Sequence, residues 1–215
     1  MSSKQLAIID YGMGNLHSVA SALKKVAPDV DVIITSEESK VANADHVIFP
    51  GVGAIRDCMA EILRRGVDKM VLQALADQKP MLGICVGMQA LMQSSDENGG
   101  IACLGLMHGK VARFPPNQNL KVPHMGWNQV HQTIDHPMWF NIAQDSRFYF
   151  VHSYYVEPFA DYESGQRMAG GCEYGTRFCA SLTKGSAFAV QFHPEKSHTD
   201  GLQLLKNFIN WKGQD

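Results

Sequence analysis

Short apolar runs alternate with amphipathic segments along the first half of the chain. Each run has the length of a buried strand, and apolar residues recur every three to four positions in the segments between the runs. The predicted strands cover residues 6–11, 30–35, 46–49 and 81–85, and the predicted helices cover 15–26, 54–65, 67–77 and 86–93. Strands that alternate with helices indicate an α/β doubly wound layout, with a mostly parallel central sheet and helices on both faces.

The second half has a different character. Residues 104–192 are rich in β-type residues and turns, and the clearest strands are predicted at 147–156 and 187–192. Helical spacing returns near the C-terminus, in an apolar face formed by Leu202, Leu205, Phe208 and Ile209. Since no linker, repeat or low-complexity run divides the sequence, we predict one domain over 1–215, an α/β fold with β-rich additions.

Composition sets the broad class. The chain has 215 residues, of which 45% are hydrophobic and 19% are charged, as in ordinary globular domains. A net charge of −2 and the lack of a Lys/Arg block predict neither a nucleic-acid partner nor a membrane partner. The apolar run at 6–9 is too short for a signal-peptide core, and the uncharged stretch at 80–95 is too short for a membrane span. We therefore expect a cytoplasmic protein.

The cysteines indicate free thiols. They lie at positions 58, 85, 103, 172 and 179, an odd number without a Cys-x-x-Cys pair, and the nine histidines are equally scattered. This pattern argues against a disulfide framework or a zinc site, so we expect neither a metal nor a cofactor. Outside position 85 the cysteines are predicted to be small core residues.

One cysteine has the surroundings of a nucleophile. Gly83, Cys85 and Gly87 form a Gly-x-Cys-x-Gly pattern where the predicted strand over 81–85 passes directly into the predicted helix over 86–93. This is the pattern of a nucleophile elbow, with cysteine in place of serine. Such a turn exposes the sulfur at a helix N-terminus, where thiolate is favoured over thiol. The same pattern also surrounds small buried residues in tight turns. A catalytic role for Cys85 is therefore predicted only if the chain also supplies a base.

The segment at 191–195, Gln-Phe-His-Pro-Glu, supplies a candidate base. Pro194 favours extended backbone at His193, and residues two apart in an extended chain share a face, so Glu195 can orient the imidazole. A neutral thiol needs such a base for rapid acylation. Together the two segments predict a Cys85–His193–Glu195 triad for acyl transfer.

A glycine-rich loop at residues 50–53 completes the predicted site. Ligands of open α/β sheets bind at the carboxyl ends of the strands, so this loop, Cys85 and His193 are predicted to meet there. Attack on an amide creates an oxyanion that needs backbone N–H donors. The predicted oxyanion donors are Gly51, Val52 and Val86. Taken alone, the loop could equally be a plain turn at a strand end.

These segments resemble the class I glutamine amidotransferases, whose motifs occur here in the family's order. Among these enzymes the sequence is most similar to the glutaminase subunits that serve imidazole glycerol phosphate synthase in histidine biosynthesis. The segments that carry the resemblance are DYGMGNL at 10–16, FPGVG at 49–53, GICVGMQ at 83–89, PHMGWN at 123–128, YFVHSY at 149–154 and QFHPEKS at 191–197. The match runs from about residue 6 to 211.

The resemblance implies hydrolysis of L-glutamine to glutamate and ammonia. It also implies delivery of the ammonia to a (β/α)8 cyclase subunit, in a heterodimer that makes imidazole glycerol phosphate and aminoimidazole carboxamide ribotide. The implied substrate-binding residues are Gly53, Gln89, Ser153 and Tyr154. The implied partner-interface residues are Asn15, Pro123, Trp127, Tyr149 and Lys196. From the pattern alone, Trp127 reads equally well as a core residue and Lys196 as an ordinary surface charge.

Two alternatives stay open at the level of sequence. The same triad could serve another synthase, in a pyridoxal phosphate, anthranilate or surface-sugar pathway. The fold could also serve as a non-catalytic regulatory binding module, although the intact triad and oxyanion loop speak against that. The synthase that co-purifies with the chain would discriminate between these functions.

Overall fold

The structure, a computed structural model, describes residues 4–116, 120–159 and 164–214. Its first half alternates strands and helices: β1 Gln5–Ile9, α1 Leu16–Val26, β2 Asp31–Thr35, α2 Glu38–Asn43, β3 His46–Gly51, α3 Ile55–Arg64, α4 Val67–Ala76, β4 Met81–Cys85 and α5 Val86–Ala90. Its second half is mostly strands: β5 Ser94–Ser95, β6 Ile101–Ala102, β7 Lys110–Arg113, β8 His124–Gln129, β9 His131–Gln132, β10 Arg147–His152, β11 Tyr154–Val156, β12 Arg167–Glu173, β13 Arg177–Lys184 and β14 Ala187–Val190, before helix α6 His198–Asn210. One-turn 3-10 helices lie at Glu97–Gly99, Pro137–Trp139 and Pro194–Lys196.

The predicted parallel sheet is confirmed. Strands β2, β1, β3, β4 and β14 lie side by side in that order, and each neighbouring pair is parallel. Every residue of β3, β4 and β14 is buried, which means that both faces of the sheet are covered. Helix α1 packs against α6, whereas α4 packs against α2 and α3. Within the described ranges, each helix is too short or too polar to span a bilayer.

The predicted β-rich additions extend this sheet. From β14 the order continues through β13, β11, β7, β5 and β6; off this path, β12 pairs with β13 and β9 pairs with β12. The pairs β14–β13, β13–β11 and β11–β7 are antiparallel. Strands β8 and β10 form a separate antiparallel two-stranded sheet, in which Tyr149 lies opposite Trp127 and His152 lies opposite His124.

The prediction of one continuous strand over 147–156 is wrong. The segment forms two strands, β10 and β11, which meet at Ser153 and belong to different sheets. The carbonyl of Ser153 accepts a hydrogen bond of 3.2 Å from the Phe114 amide, across the junction. The apolar residues on both sides of Ser153 predict strands but give no sign of this change of pairing partner.

Other boundaries also differ from the predictions. Helix α5 ends at Ala90 instead of residue 93, because the Leu91 and Met92 amides bond to carbonyls three residues back and the Gln93 amide bonds to Gly109. Strand β14 ends at Val190 instead of residue 192. The six-residue helix α2 was not predicted, since its pattern contains only one buried residue, Val41.

Candidate active site

Cys85 occupies a strained turn at the carboxyl end of β4. Its backbone angles, φ 55° and ψ −112°, are unusual for a residue with a side chain and are typical of a nucleophile elbow. A β-carbon at Gly87 would lie 2.0 Å from the carbonyl oxygen of Phe49 in the neighbouring strand. Glycine is therefore required there, and the turn is pressed against β3, where Gly51 pairs directly with Cys85.

His193 follows β14 and has the extended backbone that was predicted, with φ −102° and ψ 97°. Its Nδ1 lies 2.9 Å from Oε1 of Glu195. A carboxylate only accepts hydrogen bonds, so Nδ1 carries the proton and donates it. The prediction that both residues share the face of an extended chain is wrong, because Pro194–Lys196 is a 3-10 turn. The turn nevertheless brings the carboxylate to the imidazole.

The other ring nitrogen of His193 is available for chemistry. Nε2 is buried and meets no hydrogen-bond partner among the described residues. His193 lines the same cavity as Cys85 and interacts with it electrostatically. Burial by itself lowers the pKa of His193, but the negative charges of a Cys85 thiolate and of Glu195 outweigh burial and raise it. The pKa of His193 is thus raised while Cys85 carries a negative charge.

Asn15 also contacts the predicted triad. Its Nδ2 donates a hydrogen bond of 3.2 Å to Oε1 of Glu195. Asn15 precedes α1 but makes no side-chain capping bond to that helix, since its amide is directed at the carboxylate. The family resemblance predicts Asn15 at the partner interface. The signal for this further contact was its position just after β1, at the sheet edge where β3 and β4 end.

The triad opens onto a cavity of about 580 Å³, which is ample for an amino-acid substrate. The predicted site residues that line it are Asn15, Val52, Gly53, Cys85, Val86, Gln89, Pro123, Ser153, Tyr154, His193 and Lys196. Glu97, Val151 and His152 line it as well and were not predicted. Gly51, on β3, and Tyr149, on β10, are not among the residues that line it.

The loop with the predicted oxyanion donors is held from below. The Tyr11 hydroxyl donates to the Pro50 carbonyl at 2.8 Å, and the Cys58 thiol donates to the Val52 carbonyl at 3.3 Å. A β-carbon at Gly51 would lie 2.7 Å from the Tyr11 hydroxyl oxygen. Gly53 has φ 95°, which suits glycine. The loop therefore approaches the elbow more closely than other residues would permit.

Gln89 lines the cavity, where its side-chain amide can offer a ligand only a hydrogen-bond acceptor. Its Nε2 donates to the Tyr154 carbonyl at 2.9 Å and to Oε1 of Gln191 at 2.8 Å. Both amide protons are thus engaged, and Oε1 remains as an acceptor. Gln89 can therefore accept a hydrogen bond from the α-ammonium group of an amino acid, but it cannot donate to the carboxylate without losing one of these bonds.

Two histidines behind the cavity are not explained by the motifs alone. Nδ1 of His124 lies 2.9 Å from Nε2 of His152, whose Nδ1 lies 2.8 Å from the Tyr154 carbonyl. Because that carbonyl can only accept, His152 donates through Nδ1 and accepts from His124 through Nε2. Burial lowers the pKa of His124 to about 4 and that of His152 to about 3. Both rings are neutral at pH 7.

Three of the residues assigned to the partner interface, Pro123, Trp127 and Lys196, are exposed, whereas Asn15 and Tyr149 are half-buried. Trp127 is 41% exposed and its neighbour Met125 is 62% exposed, which excludes the core reading of Trp127. The Trp127 ring stacks on His198 at 5.0 Å between centroids, and Nζ of Lys196 lies 6.0 Å above the Tyr149 ring. Large apolar side chains at this exposure are typical of protein-binding surfaces.

Comparisons with known proteins agree with this geometry. The family model of glutamine amidotransferase class-I matches residues 7–211. A solved structure of a glutamine amidotransferase has the same fold, with a TM-score of 0.71 at 15% identity over 95% of this chain and 97% of the other.

Curated relatives narrow the class. The imidazole glycerol phosphate synthase subunit HisH of Acinetobacter baylyi is 57% identical, over 96% of this chain and 98% of its own length. The HisH subunit of Pseudomonas putida is also 57% identical, over 97% of this chain and 98% of its own length. The chain belongs to the class-I glutamine amidotransferases and, within them, to the HisH subunits of imidazole glycerol phosphate synthase.

Proposed function

We propose that this protein is the glutaminase subunit of imidazole glycerol phosphate synthase in histidine biosynthesis, and that Cys85, His193 and Glu195 hydrolyse L-glutamine to glutamate and ammonia. The observation that carries the proposal is the hydrogen bonding of the two ring nitrogens of His193. One ring nitrogen is bound to the buried Glu195 carboxylate at 2.9 Å, and the other meets no partner in the described structure and faces the Cys85 cavity.

The first half of the reaction forms a thioester. The Cys85 thiolate attacks the side-chain carbonyl carbon of glutamine, and the carbonyl oxygen becomes an oxyanion. Backbone amides of the Gly51–Val52 peptide and of Val86 are the proposed donors to that oxygen. The His193 imidazolium then gives its Nε2 proton to the amide nitrogen, the C–N bond breaks, and ammonia leaves.

The second half restores the enzyme. Neutral His193 takes a proton from water at Nε2, and the resulting hydroxide attacks the thioester carbon. The C–S bond breaks, glutamate leaves and the thiolate–imidazolium pair is regenerated. Glu195 holds the ring in the required tautomer throughout and stabilises its positive form. The balance is one glutamine and one water consumed for one glutamate and one ammonia.

We infer that the ammonia passes to a (β/α)8 cyclase subunit bound over the cavity mouth. Pro123 and Lys196 line the cavity, and Trp127 and Met125 are exposed beside it. A partner that covers these side chains would remove apolar surface from water and shield the ammonia from solvent. This supports the assignment of Pro123, Trp127, Tyr149 and Lys196 to the interface.

The test combines the chain with the cyclase subunit and measures both activities. Cys85→Ala is expected to abolish glutamine hydrolysis while leaving cyclase binding and ammonia-dependent synthesis intact, because only the nucleophile is removed. Cys103→Ala, at a half-buried cysteine outside the cavity, is the matched control and should retain full activity. Residual hydrolysis within tenfold of wild type in Cys85→Ala would overturn the triad.

A pull-down from native lysate tests the pathway separately. Recovery of the cyclase is expected. Recovery of another synthase would move the glutaminase to a different pathway, and an intact complex without glutamine hydrolysis would make the chain a regulatory module.

A further inference from the structure

The side chain of Gln191 reaches the sulfur of Cys85 from the protein interior. Its Nε2 lies 3.7 Å from Sγ, a normal separation for an N–H···S hydrogen bond because sulfur is larger than oxygen. Gln191 is fully buried and does not line the cavity, whereas Cys85 does. The donor therefore meets the sulfur on the side away from the substrate and leaves the line of attack open.

The orientation of this amide is fixed by its neighbours. The Tyr154 carbonyl can only accept, so the group of Gln89 that faces it is the NH₂. The same NH₂ lies 2.8 Å from Gln191, so the atom of Gln191 that meets it is Oε1. The remaining end of the Gln191 amide is then its own NH₂, which faces Cys85. A flipped Gln191 amide would place two donors against each other, and a flipped Gln89 amide would place its oxygen against two acceptors.

We propose that Gln191 is a further catalytic residue of the glutaminase, which donates an N–H···S hydrogen bond to the Cys85 thiolate, and that Gln89 is the positioning residue that holds its amide in that orientation. The catalytic role of Gln191 rests on the proposed function. The contact with the sulfur is independent of it. A donor on a charged acceptor stabilises the thiolate relative to the thiol, and it also fixes the direction in which the sulfur points.

The other side chains that act on the charge of the Cys85 sulfur are few among the described residues. Among the described residues, the titratable side chains that interact electrostatically with Cys85 are His193, supported by Glu195, and Tyr11 and Cys58 below the oxyanion loop. Glu97, His152 and Lys196 line the same cavity. Burial raises the pKa of Cys58 to about 11 and that of Tyr11 well above its usual value, so both are neutral at pH 7. His193 is thus the charged partner of the thiolate, and Gln191 is its neutral donor.

The contact can be tested by alkylation of the full-length chain with iodoacetamide between pH 5 and 9. Peptide mass spectrometry would follow Cys85 alone, since Cys103 is also partly exposed. Gln191→Met removes the donor at similar volume. Gln191→Glu keeps an oxygen for Gln89 and removes the N–H, which provides a second variant if the first does not fold. Gln166→Met is the matched control, because Gln166 is equally buried and its amide bonds to the His108 backbone, away from Cys85.

Both Gln191 variants are expected to alkylate Cys85 about 10- to 100-fold more slowly at pH 7, with the pH midpoint raised by about one to two units. Gln89→Met should give a smaller shift, because the Gln191 amide is freed but still present. In the complex with the cyclase, kcat for glutamine should fall in the Gln191 variants while KM stays within about threefold, since Gln191 does not line the cavity.

Two results would overturn the inference: a folded Gln191 variant with the wild-type pH midpoint, or the same shift in Gln166→Met. The failure of the proposed function has a different signature. A wild-type complex that does not hydrolyse glutamine, but whose Cys85 alkylation still depends on Gln191, would retain the contact and remove its catalytic meaning.

Discussion

The side-chain amide of Asn15 donates a hydrogen bond of 3.2 Å to Oε1 of Glu195, a residue 180 positions later in the chain. The same oxygen accepts the Nδ1–H of His193 at 2.9 Å. The carboxylate is therefore held between the ring that it orients and a neutral donor at the start of α1. The other carboxylate oxygen is buried and meets no partner within the described residues.

We predict that Asn15→Ala lowers kcat for glutamine about tenfold with little change in KM, because a hydrogen bond to a charged group contributes about 1.5–3 kcal/mol. Asn15→Asp should cost more, since it places a second negative charge beside Glu195. Steady-state kinetics of the cyclase complex would measure both. Asn210→Ala, at an exposed asparagine on α6, is the control. If Asn15 served only the partner interface, its variants would weaken cyclase affinity and leave kcat at saturation unchanged.

The buried histidines predict a loss of stability in mild acid. The folded-state pKa values of His124 and His152 lie below that of free histidine, at about 4 and about 3. The unfolded chain therefore binds protons below pH 6.5 while the folded chain does not. The stabilisation from the neutral pair is full above pH 6.5 and declines towards pH 4, by at most about 1.4 kcal/mol per pH unit for each ring. His46 has a lowered pKa as well and adds to the same trend.

Urea unfolding of the free subunit between pH 8 and 5 would measure this decline. His124→Gln and His152→Gln should flatten it, and His17→Gln, at an exposed site, should leave it as in wild type. An equal slope in all three variants would assign the acid sensitivity to other groups.

The close approach at the elbow predicts a large effect of a single methyl group. Gly87→Ala would place a β-carbon 2.0 Å from the Phe49 carbonyl oxygen, and neither backbone segment can move without disturbing the β3–β4 pairing. We expect the free energy of unfolding to fall by about 1–3 kcal/mol and Cys85 to lose its reactivity. Gly171→Ala is the control, since its nearest atom would be at 3.4 Å, in the Arg177 side chain. Unfolding curves with equal midpoints for the two variants would contradict the tight contact.

The glycine-flanked loop at 50–53 predicts that the partner controls the rate. Rotation of the Gly51–Val52 peptide costs little beside two glycines, so its N–H can face the oxyanion in one state and turn away in another. We expect the free subunit to hydrolyse glutamine at least about 100-fold more slowly than the acceptor-loaded complex, the cost of one missing oxyanion donor.

Parallel glutaminase assays with and without the cyclase would measure this ratio. Trp127→Ala, at an exposed residue outside the cavity lining, should lower the rate of the complex and leave that of the free subunit unchanged, because a partner shifts the loop only through contacts that differ between its two states. A free subunit already at full rate would eliminate the switch and leave the chemistry in place.

Local signals in the sequence predicted the elbow and the parallel sheet. Cys85 and Gly87 lie where an apolar strand passes into a helix. The strand-to-helix turn and the glycine that it requires are both visible in a short stretch of sequence. The contacts of Asn15 and Gln191 were not predicted. Each depends on side chains brought together from strands far apart in the sequence, and neither amide differs in local pattern from a solvated one.

The change of sheet at Ser153 was missed for a related reason. Apolar alternation through residues 147–156 shows that both flanking strands are half-buried, but it contains no information about which strand pairs with which. That choice depends on the register of β8 against β10 and of β7 against β11, and the paired residues lie between 18 and 45 positions earlier in the chain.

Ser153 and Tyr154 also connect the two sheets of the fold. On one side is the small β8–β10 sheet that carries Trp127 and Tyr149, and on the other is the large sheet that fixes Cys85. A rigid-body tilt of the small sheet would be transmitted first to the peptide between the two sheets, and only later to the nucleophile. Contact at the exposed surface would therefore reach the cavity wall at Ser153 and Tyr154 before it reaches Cys85.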